Sequence, residues 1–516
     1  MKKKSKKELL MAGGLALEIL VVLLFLNARI NALLDSDMSS EMVLAQLLAK
    51  ENAALSTHWY YSTELRVLNT QLLYAFFFKL SNNWHWIRMA SIICLWCIII
   101  GIYYFWACAE GCKKYFLITA LLLLAPISED YFRFVLAGVY YIPHIAIAFA
   151  ALAMNELYMK AQRGSRKLWL VVSVLLAFVA GLGGPREIIA LYAPLGLAAA
   201  AELVWERNNE TKRQQFIYAA FVGAAALLGY ALNMLVLARI YHFATWGWLG
   251  FQLADGSRMV EIFSSFLQLF GARGTGTEYV FTCAVSVMWI VLTIGCIVYA
   301  YTHEVSDGYR RLADFTVAVY LLYFLLYSVT NMLFSARYGI LNTVLSIPLL
   351  AMAANEVHLN ESKRQWLLAV VATATIAVGA LVLFRIAGED QTTAQRDVTE
   401  KLLAEGYVNG YATFWNANVL TELSDGKIEV WQWCGGQDLP EHSSDIDDMT
   451  QWLQLASHMV EHPSGKVFAL FTREEFESNP WRKNLHPEDV IYENEEYIVM
   501  SYPDHDTMKA TLEKGL

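Results

Sequence analysis

Residues 33–64 read LLDSDMSSEMVLAQLLAKENAALSTHWYYSTE, a polar stretch that follows the first hydrophobic run of the chain. Four carboxylates are spread along it, on Asp35, Asp37, Glu41 and Glu64. The next long apolar run begins only near residue 86. The side of the membrane on which each later loop lies therefore depends on the side that this stretch occupies.

Composition decides the broad class. Hydrophobic residues make up 57% of the 516 residues and charged residues 17%, whereas soluble domains have about 25% charged residues. Several apolar runs reach the roughly 20 residues that a helix needs to cross a bilayer. These values exclude a soluble enzyme and predict a polytopic α-helical membrane protein.

Charge divides the chain into two parts. Residues 388–516 hold 25 acids and 9 Lys+Arg, net −16, while the preceding residues hold 23 acids and 30 Lys+Arg, net +7. We predict a transmembrane domain over 1–386 and a soluble domain over 387–516. The tail mixes two periodicities, which predicts a compact α/β domain: helices over 393–405 and 446–459, strands over 427–433 and 466–471, and a hairpin over 490–502.

Eleven apolar runs are predicted to cross the membrane. The first follows KKKSKKELL and lacks a small-residue cleavage site, so it is interpreted as an uncleaved anchor with a cytoplasmic amino end. The predicted crossings are 9–26, 86–106, 115–126, 139–158, 168–182, 188–204, 216–236, 280–301, 315–332, 340–353 and 366–384.

Basic clusters fix the orientation. The clusters that this threading places on the side of the amino terminus are Lys113/Lys114, Lys160/Arg163/Arg166/Lys167, Arg207/Lys212/Arg213, Arg310/Arg311 and Lys363/Arg364. The positive-inside rule makes that side cytoplasmic. If the run 65–80 were a crossing, every later basic cluster would lie on the outer side of the membrane. The run is therefore interpreted as a juxtamembrane or re-entrant helix. The loop 29–85 and the tail are then external, and the amphipathic segment 41–50 is predicted to lie along the membrane surface.

Acids and arginines collect on this outer side. The candidates are Asp35, Asp37, Glu41, Glu64, Glu129, Asp130, Arg186, Glu187 and Arg337. A carboxylate can take a proton from an attacking hydroxyl, and an arginine can stabilise a phosphate leaving group. Any one external acid is more often solvated than catalytic, and Glu18 and His144, inside spans, are interpreted as pairing and packing residues.

The arrangement resembles the GT-C superfamily of integral-membrane glycosyltransferases over about residues 9–386. The resemblance is carried by LDSDMSSE directly after the first span, by the juxtamembrane segments 41–50 and 65–80, by the SEDYF loop and by Arg337-Tyr338 opening a late span. An external carboxy-terminal α/β domain adds to it. The common Asp-Glu pair of the family is replaced here by Asp-Ser-Asp.

The resemblance implies an inverting transfer of a sugar from a polyprenyl-phosphate-linked donor at the outer face of the cell membrane, within glycan biosynthesis of the cell envelope. Asp37, or failing it Asp35, would be the general base. The resemblance further implies substrate-binding roles for Glu41, Glu64, Glu129, Asp130, Arg186, Glu187, Arg337 and Tyr338.

The acceptor is left open between a glycan, a lipid and a protein. Carboxylates on two loops permit Mg²⁺ or Mn²⁺ without demanding one. The sequence shows no nucleotide-binding motif, and no nucleic-acid partner is expected.

Two other functions stay open at this point. A flippase or transporter of a lipid-linked sugar would place ionisable groups near the bilayer midplane, whereas here they gather at the outer edge. A catalytically inactive relative could instead serve cell-envelope assembly through its tail.

Overall fold

A computed structural model describes residues 6–65, 67–244, 250–332, 334–435 and 445–514. Within these residues ten helices are long and apolar enough to cross a membrane. A further pair, Lys113–Leu124 and Glu129–Ala137, is bent by 95° and makes the number eleven if it counts as one span. The predicted polytopic helical fold is confirmed.

The described membrane region contains α1 Lys6–Arg29, α2 Ser36–Glu51, α3 Gln71–Phe78, α4 Trp84–Glu110, α5 Phe116–Leu124, α6 Glu129–Tyr131, α7 Ile142–Lys160, α8 Arg163–Leu182, α9 Ala193–Trp205, α10 Glu210–Leu235, α11 Gly256–Leu269, α12 Gly276–Thr302, α13 Asp307–Val329, α14 Ile340–Glu356 and α15 Glu361–Ala387. Two π-helical segments, Phe132–Ala137 and Ile188–Tyr192, continue α6 and precede α9. Short 3-10 turns cover Ile30–Leu33, Lys113–Tyr115, Leu237–Arg239 and Ala336–Gly339.

The loop between α1 and α4 holds two short helices, as predicted. The helix α3 has eight residues, far fewer than the ~20 that a span needs, so the run 65–80 does not cross. The Thr70 hydroxyl donates to Glu41 Oε2 at 2.8 Å and joins the start of α3 to α2.

The helix α2 is longer and more enclosed than the predicted surface helix over 41–50. It begins at Ser36, and its Met38, Met42, Ala45 and Leu48 side chains are at most 3% exposed. Protein therefore covers its apolar face, where the sequence pattern predicted contact with the membrane surface.

The carboxy-terminal region is an α/β domain, also as predicted. Its described helices are α16 Thr393–Ala404, α17 Phe414–Leu423, α18 Arg473–Ser478 and α19 His505–Leu512. The strands of the chain are β1 Trp59–Tyr61, β2 His242–Phe243, β3 Asn409–Ala412, β4 Glu429–Gln432, β5 Gln454–Leu455, β6 Val467–Thr472, β7 Val490–Glu493 and β8 Tyr497–Tyr502. Five of them form a sheet in the order β4-β3-β6-β8-β7, parallel at β4-β3-β6 and antiparallel at β6-β8-β7. The 3-10 turns of this domain are Ala456–Met459, Pro480–Asn484 and Pro487–Asp489.

One predicted element of this domain is wrong. Residues 446–459 do not form an α-helix: they contain a bridge from Met449 to Trp433, then β5 and a 3-10 turn. Leu453 adopts a left-handed φ of 50°, and the Gln454 side chain receives a hydrogen bond from the Gln432 backbone N–H at 3.1 Å. Hydrogen bonds to residues distant in sequence thus outweigh the helical spacing of the apolar residues in this segment.

The soluble domain docks on the start of α2. The Ser36 hydroxyl donates to the Phe414 carbonyl at 2.6 Å. Arg88, on α4, pairs with Glu422, on α17. A second, three-stranded sheet in the order β2-β1-β5 joins the first loop, the segment after α10 and the soluble domain. These contacts hold the turn that carries Asp35 and Asp37.

Candidate active site

Asp35 and Asp37 lie at the amino end of α2, where unpaired backbone N–H groups favour negative charge. Asp37 is in the first helical turn, and its Oδ2 lies 3.6 Å from Arg337 Nη1. Both side chains are about one-third exposed, at 33% and 34%. Asp37 is therefore loosely paired and open to a substrate.

Asp35 has a different role in the same turn. Its Oδ1 accepts the Met38 backbone N–H at 2.7 Å and caps α2. Burial raises the pKa of Asp35 to about 6; the capping bond opposes this rise, the charge of Asp37 adds to it, and Arg88 and Arg133 oppose it. Asp35 thus caps α2 with its carboxylate, whereas the Asp37 carboxylate is one-third exposed beside Arg337.

Two arginines share one tyrosine ring beside Asp37. The Arg337 guanidinium lies 5.7 Å from the centre of the Tyr338 ring, and Arg186 lies 5.5 Å from it. Arg337 also stacks on Phe134 at 5.4 Å and Arg186 on Tyr141 at 5.3 Å. Such contacts orient a guanidinium while leaving its N–H groups able to donate. The predicted pair Arg337-Tyr338 and the distant Arg186 are thereby brought together.

Acidic partners fix the Arg186 side of the site. Arg186 Nε donates to Glu64 Oε1 at 2.5 Å. Burial acts to raise the pKa of Glu64, but Arg186 and then His144 outweigh it and hold that pKa below its usual range. Glu187 Oε1 lies 2.5 Å from His144 Nδ1. Glu64, Arg186 and Glu187 therefore form one polar group with His144.

His144 is a residue that the sequence interpretation missed. It was assigned to packing, yet it lines the main cavity and pairs with Glu187. The available signal was its position: it stands in the first turn of α7, and ionisable residues inside spans usually mark function.

A cavity of about 650 Å³ begins at this polar group and extends among the spans. Glu64, Tyr141, His144, Arg186, Glu187 and Tyr338 make its polar end. Its remaining lining is almost entirely apolar: Ile145, Pro185, Ile189, Ala190, Pro194, Tyr230, Met234, Val319, Leu322, Tyr323, Leu326, Tyr327, Met332, Leu341 and Asn342. An apolar body with a charged end suits an amphipathic ligand.

Irregular backbone flanks the cavity on two sides. The π-helical segment Ile188–Tyr192 contributes Ile189 and Ala190 to the lining, and Phe132–Ala137 precedes Tyr141 and His144. Between Ala137, the last residue of the second segment, and Tyr141, the buried Val139 adopts a left-handed φ of 57°. Such a conformation costs about 1–3 kcal/mol, and π-helical turns are frequent at functional sites.

Six of the ten predicted residues do not line the cavity: Asp35, Asp37 and Arg337, described above, and three further acids. Glu41 packs in the α2–α3 junction. Glu129 is 5% exposed and receives Arg385 at 2.7 Å and Arg273 at 2.9 Å. Asp130, more open than Glu129, lies within electrostatic reach of Arg273 and Arg337.

The donor set around Asp37 does not match a dedicated Mg²⁺ or Mn²⁺ cage. Such cations take about six oxygen ligands in near-octahedral geometry, but the group paired with Asp37 is the cationic Arg337. Asp35 already accepts the capping hydrogen bond from Met38.

Comparisons with known proteins place the fold. No protein-family model matches the chain, and no curated protein matches its sequence. The crystal structure of ArnT from Cupriavidus metallidurans bound to undecaprenyl phosphate is similar at a TM-score of 0.54 and 12% identity, over 95% of this chain and 98% of that chain. The apo structure of the same protein gives 0.55 and 9% over the same shares.

The apo oligosaccharyltransferase of Archaeoglobus fulgidus gives a TM-score of 0.48 and 10% identity, over 89% of this chain and 69% of that chain. The likeness to ArnT along almost the whole of both chains shows the fold. The GT-C fold predicted from the sequence is confirmed.

Proposed function

We propose that the chain is an inverting glycosyltransferase that moves a sugar from a polyprenyl-phosphate-linked donor to an acceptor at the outer face of the cell membrane. One observation carries the proposal: a largely apolar cavity of about 650 Å³ ends in a polar group containing Arg186 and Tyr338, and Arg337 joins that group to Asp37. The ArnT structure with the same fold holds undecaprenyl phosphate, which supports a lipid-linked donor.

The cavity suits the two ends of such a donor. Its walls from α9, α10, α13 and α14 would bury isoprenoid units, because apolar surface removed from water contributes roughly 25 cal/mol per Å². Arg186 and Arg337 would face the phosphate, with which guanidinium groups form bidentate, charge-assisted hydrogen bonds. The anomeric carbon would then lie between the phosphate and Asp37, and the bound donor would separate Arg337 from Asp37, whose charged atoms are 3.6 Å apart.

The reaction follows from this placement. The acceptor hydroxyl oxygen forms a bond to the anomeric carbon from the face opposite the phosphate, which inverts the configuration. The bond between that carbon and the phosphate oxygen breaks, and its electron pair leaves with the polyprenyl phosphate. The acceptor proton passes to the Asp37 carboxylate. Arg186 and Arg337 stabilise the negative charge that grows on the leaving phosphate.

The acceptor would approach from the loops on the Asp37 side. Asp130 is placed to orient an acceptor hydroxyl, because it is half-buried and within electrostatic reach of Arg337. The orientation with this side outward, the amino end in the cytoplasm and the soluble domain outside is part of the proposal, and the positive-inside pattern supports it.

A deletion strain of the host organism tests the function. We expect its membranes to accumulate a polyprenyl-phosphate-linked sugar, measured by mass spectrometry of extracted lipids. The wild-type chain should clear the accumulated lipid, and an Asp37→Asn chain expressed at the same level should not.

Two outcomes would contradict the proposal. An unchanged lipid pool in the deletion strain would exclude a lipid-linked donor. Full clearing by Asp37→Asn would favour a flippase, which moves the lipid without breaking a bond to the sugar.

A further inference from the structure

Three metal-ligating side chains converge in the soluble domain, in a part of the chain that the proposed transfer does not use. Asp447, His462 and His505 each offer one ligand atom, and these three atoms lie within 4.8 Å of one another. Asp447 Oδ1 is 3.2 Å from His505 Nε2 and 3.7 Å from His462 Nδ1. The two imidazole rings are stacked, with centroids 3.9 Å apart and planes 6° apart.

The two distances from Asp447 suit neighbouring ligands of a tetrahedral metal ion. Zinc bonds to histidine nitrogen and carboxylate oxygen are about 2.0–2.2 Å long, so neighbouring ligands of a tetrahedral ion lie about 3.3 Å apart. The two distances from Asp447 Oδ1 bracket that value. A metal lies in the plane of the imidazole that binds it, and these two rings are stacked in nearly parallel planes. The exposed His462 ring would therefore have to turn about its side-chain bonds before both nitrogens could face one ion.

The oxygen facing the histidines is left without a hydrogen bond. Asp447 Oδ1 is buried and accepts none from the residues that the structure describes. The other oxygen of Asp447 contacts Lys509 Nζ, which also reaches Asp445 at 3.0 Å. Asp447 therefore has one oxygen neutralised by lysine and one available as a single metal ligand.

A tyrosine fixes the orientation of His505. Its Nδ1 lies 2.7 Å from the Tyr411 hydroxyl, and both residues are buried, at 4% and 0% exposure. When Nδ1 carries the proton and donates it to Tyr411, Nε2 presents a lone pair to Asp447 Oδ1. Two acceptors then face each other across 3.2 Å, and a cation between them removes the repulsion. Metal-bound histidines usually have such a partner on their other nitrogen.

We propose that Asp447, His462 and His505 bind a Zn²⁺ ion, with the fourth position open to water. Two imidazoles and one carboxylate are ligands that suit zinc, whereas Mg²⁺ and Ca²⁺ prefer oxygen ligands alone. His462 is 44% exposed, which gives the ion a path from solvent. The ion would join the loop at Asp447 and the loop at His462 to the start of α19, a role independent of the transfer reaction.

Metal content of the full-length chain tests the site. The protein, purified in detergent with any affinity tag removed, is stripped with chelator, incubated with Zn²⁺ and washed. We expect one zinc per chain by elemental analysis. We expect competition with a chromogenic chelator to show at least a 100-fold weaker affinity for His462→Ala and a 10–100-fold weaker affinity for Tyr411→Phe.

The matched control is His486→Ala, which removes an exposed histidine of the same domain that is not one of the three proposed ligands. It should bind zinc like the wild type, and Mg²⁺ or Ca²⁺ in excess should not compete. A zinc content well below one per chain, or equal zinc affinity of the wild type and His462→Ala, would overturn the proposal. These readouts do not involve sugar transfer, so they stand whether or not the proposed enzyme activity holds.

Discussion

Two ion pairs touch the same end of α2 and differ in almost every physical respect. Arg88 and Glu422 are 1% and 5% exposed and share two hydrogen bonds, of 2.8 Å and 2.7 Å, while Arg88 also donates to the Met38 carbonyl at 3.1 Å. Arg337 and Asp37 are one-third exposed and approach each other only to 3.6 Å. Met38 directly follows Asp37 in the sequence.

The difference distinguishes a structural pair from one available to a ligand. A buried, bidentate pair has lost its water and has little capacity for a ligand, and removing one partner strands a buried charge. A half-exposed pair contributes about 0–1 kcal/mol to stability, so its charges can be redirected to a substrate at little cost. The first pair holds α2 in place, and the second leaves Asp37 and Arg337 available.

The largest expected effect is on catalysis at the open pair. Asp37→Asn should lower sugar transfer by about 10²–10⁴-fold, the usual contribution of a general base. Thermal unfolding should change little, since Asp37 is partly exposed. The assay is transfer from the lipid-linked sugar isolated from the deletion strain. Asp35→Asn is the comparison: asparagine also caps helices, so this variant should lose transfer only several-fold, through its missing charge. Full activity in both variants would exclude the assignment.

The next effect is on stability at the closed pair. Arg88→Met should lower the free energy of unfolding by about 3–5 kcal/mol, because Glu422 would stay buried without its cation. Adding Glu422→Leu should recover part of the loss. Denaturant titration of the purified protein measures both.

The exposed pair Arg482 and Glu477, 3.3 Å apart, provides the comparison for this prediction. Arg482→Met should cost less than about 1 kcal/mol. Equal costs for Arg88→Met and Arg482→Met would remove the distinction between closed and open pairs.

A smaller effect is expected on lipid binding. Arg337→Gln should weaken binding of undecaprenyl phosphate by about 1.5–3 kcal/mol, the range for a hydrogen bond to a charged group. Native mass spectrometry of the detergent-purified chain measures the affinity. Arg310, which stacks on Tyr301 at 5.2 Å as Arg337 does on Tyr338, gives the matched control Arg310→Gln. An equal loss in both variants would show that the arginine at the cavity has no special role.

The smallest effect is on pH dependence. Asp35 is neutral below its raised pKa of about 6 and ionised above it. We expect transfer to fall several-fold as the pH drops through that value, because one of the two negative charges facing the positively charged sugar centre is lost. In Asp35→Asn this acid limb should disappear. An unchanged limb would assign it to another group.

Local patterns in the sequence predicted the turn that carries Asp35 and Asp37. Asp35 is followed three residues later by Met38, whose N–H it caps, and Asp37 directly follows a span, so both positions depend on a few neighbouring residues. The charge of the basic loops was enough to interpret 65–80 as a helix that does not cross. Such features are set by residues close in sequence, so they can be predicted without knowing the tertiary contacts.

The parts that the sequence did not predict depend on distant partners. Arg385 binds Glu129 across 256 positions and Arg88 binds Glu422 across 334, and neither pairing leaves a periodic pattern. Such pairings decide that Glu129 is enclosed while Asp37 stays open. His144 was assigned to packing for the same reason, since its partner Glu187 is 43 positions away.

The three-stranded sheet has a consequence for biosynthesis. Tyr60, in β1, pairs with His242 of β2 on one side and with Gln454 of β5 on the other. The last strand of this sheet, β5, therefore leaves the ribosome 394 residues after Tyr60. At about 5–20 residues per second, that delay is on the order of a minute. The loop beside Asp37 therefore waits for the end of translation to gain its final partner, and a prematurely terminated chain would insert in the membrane without it.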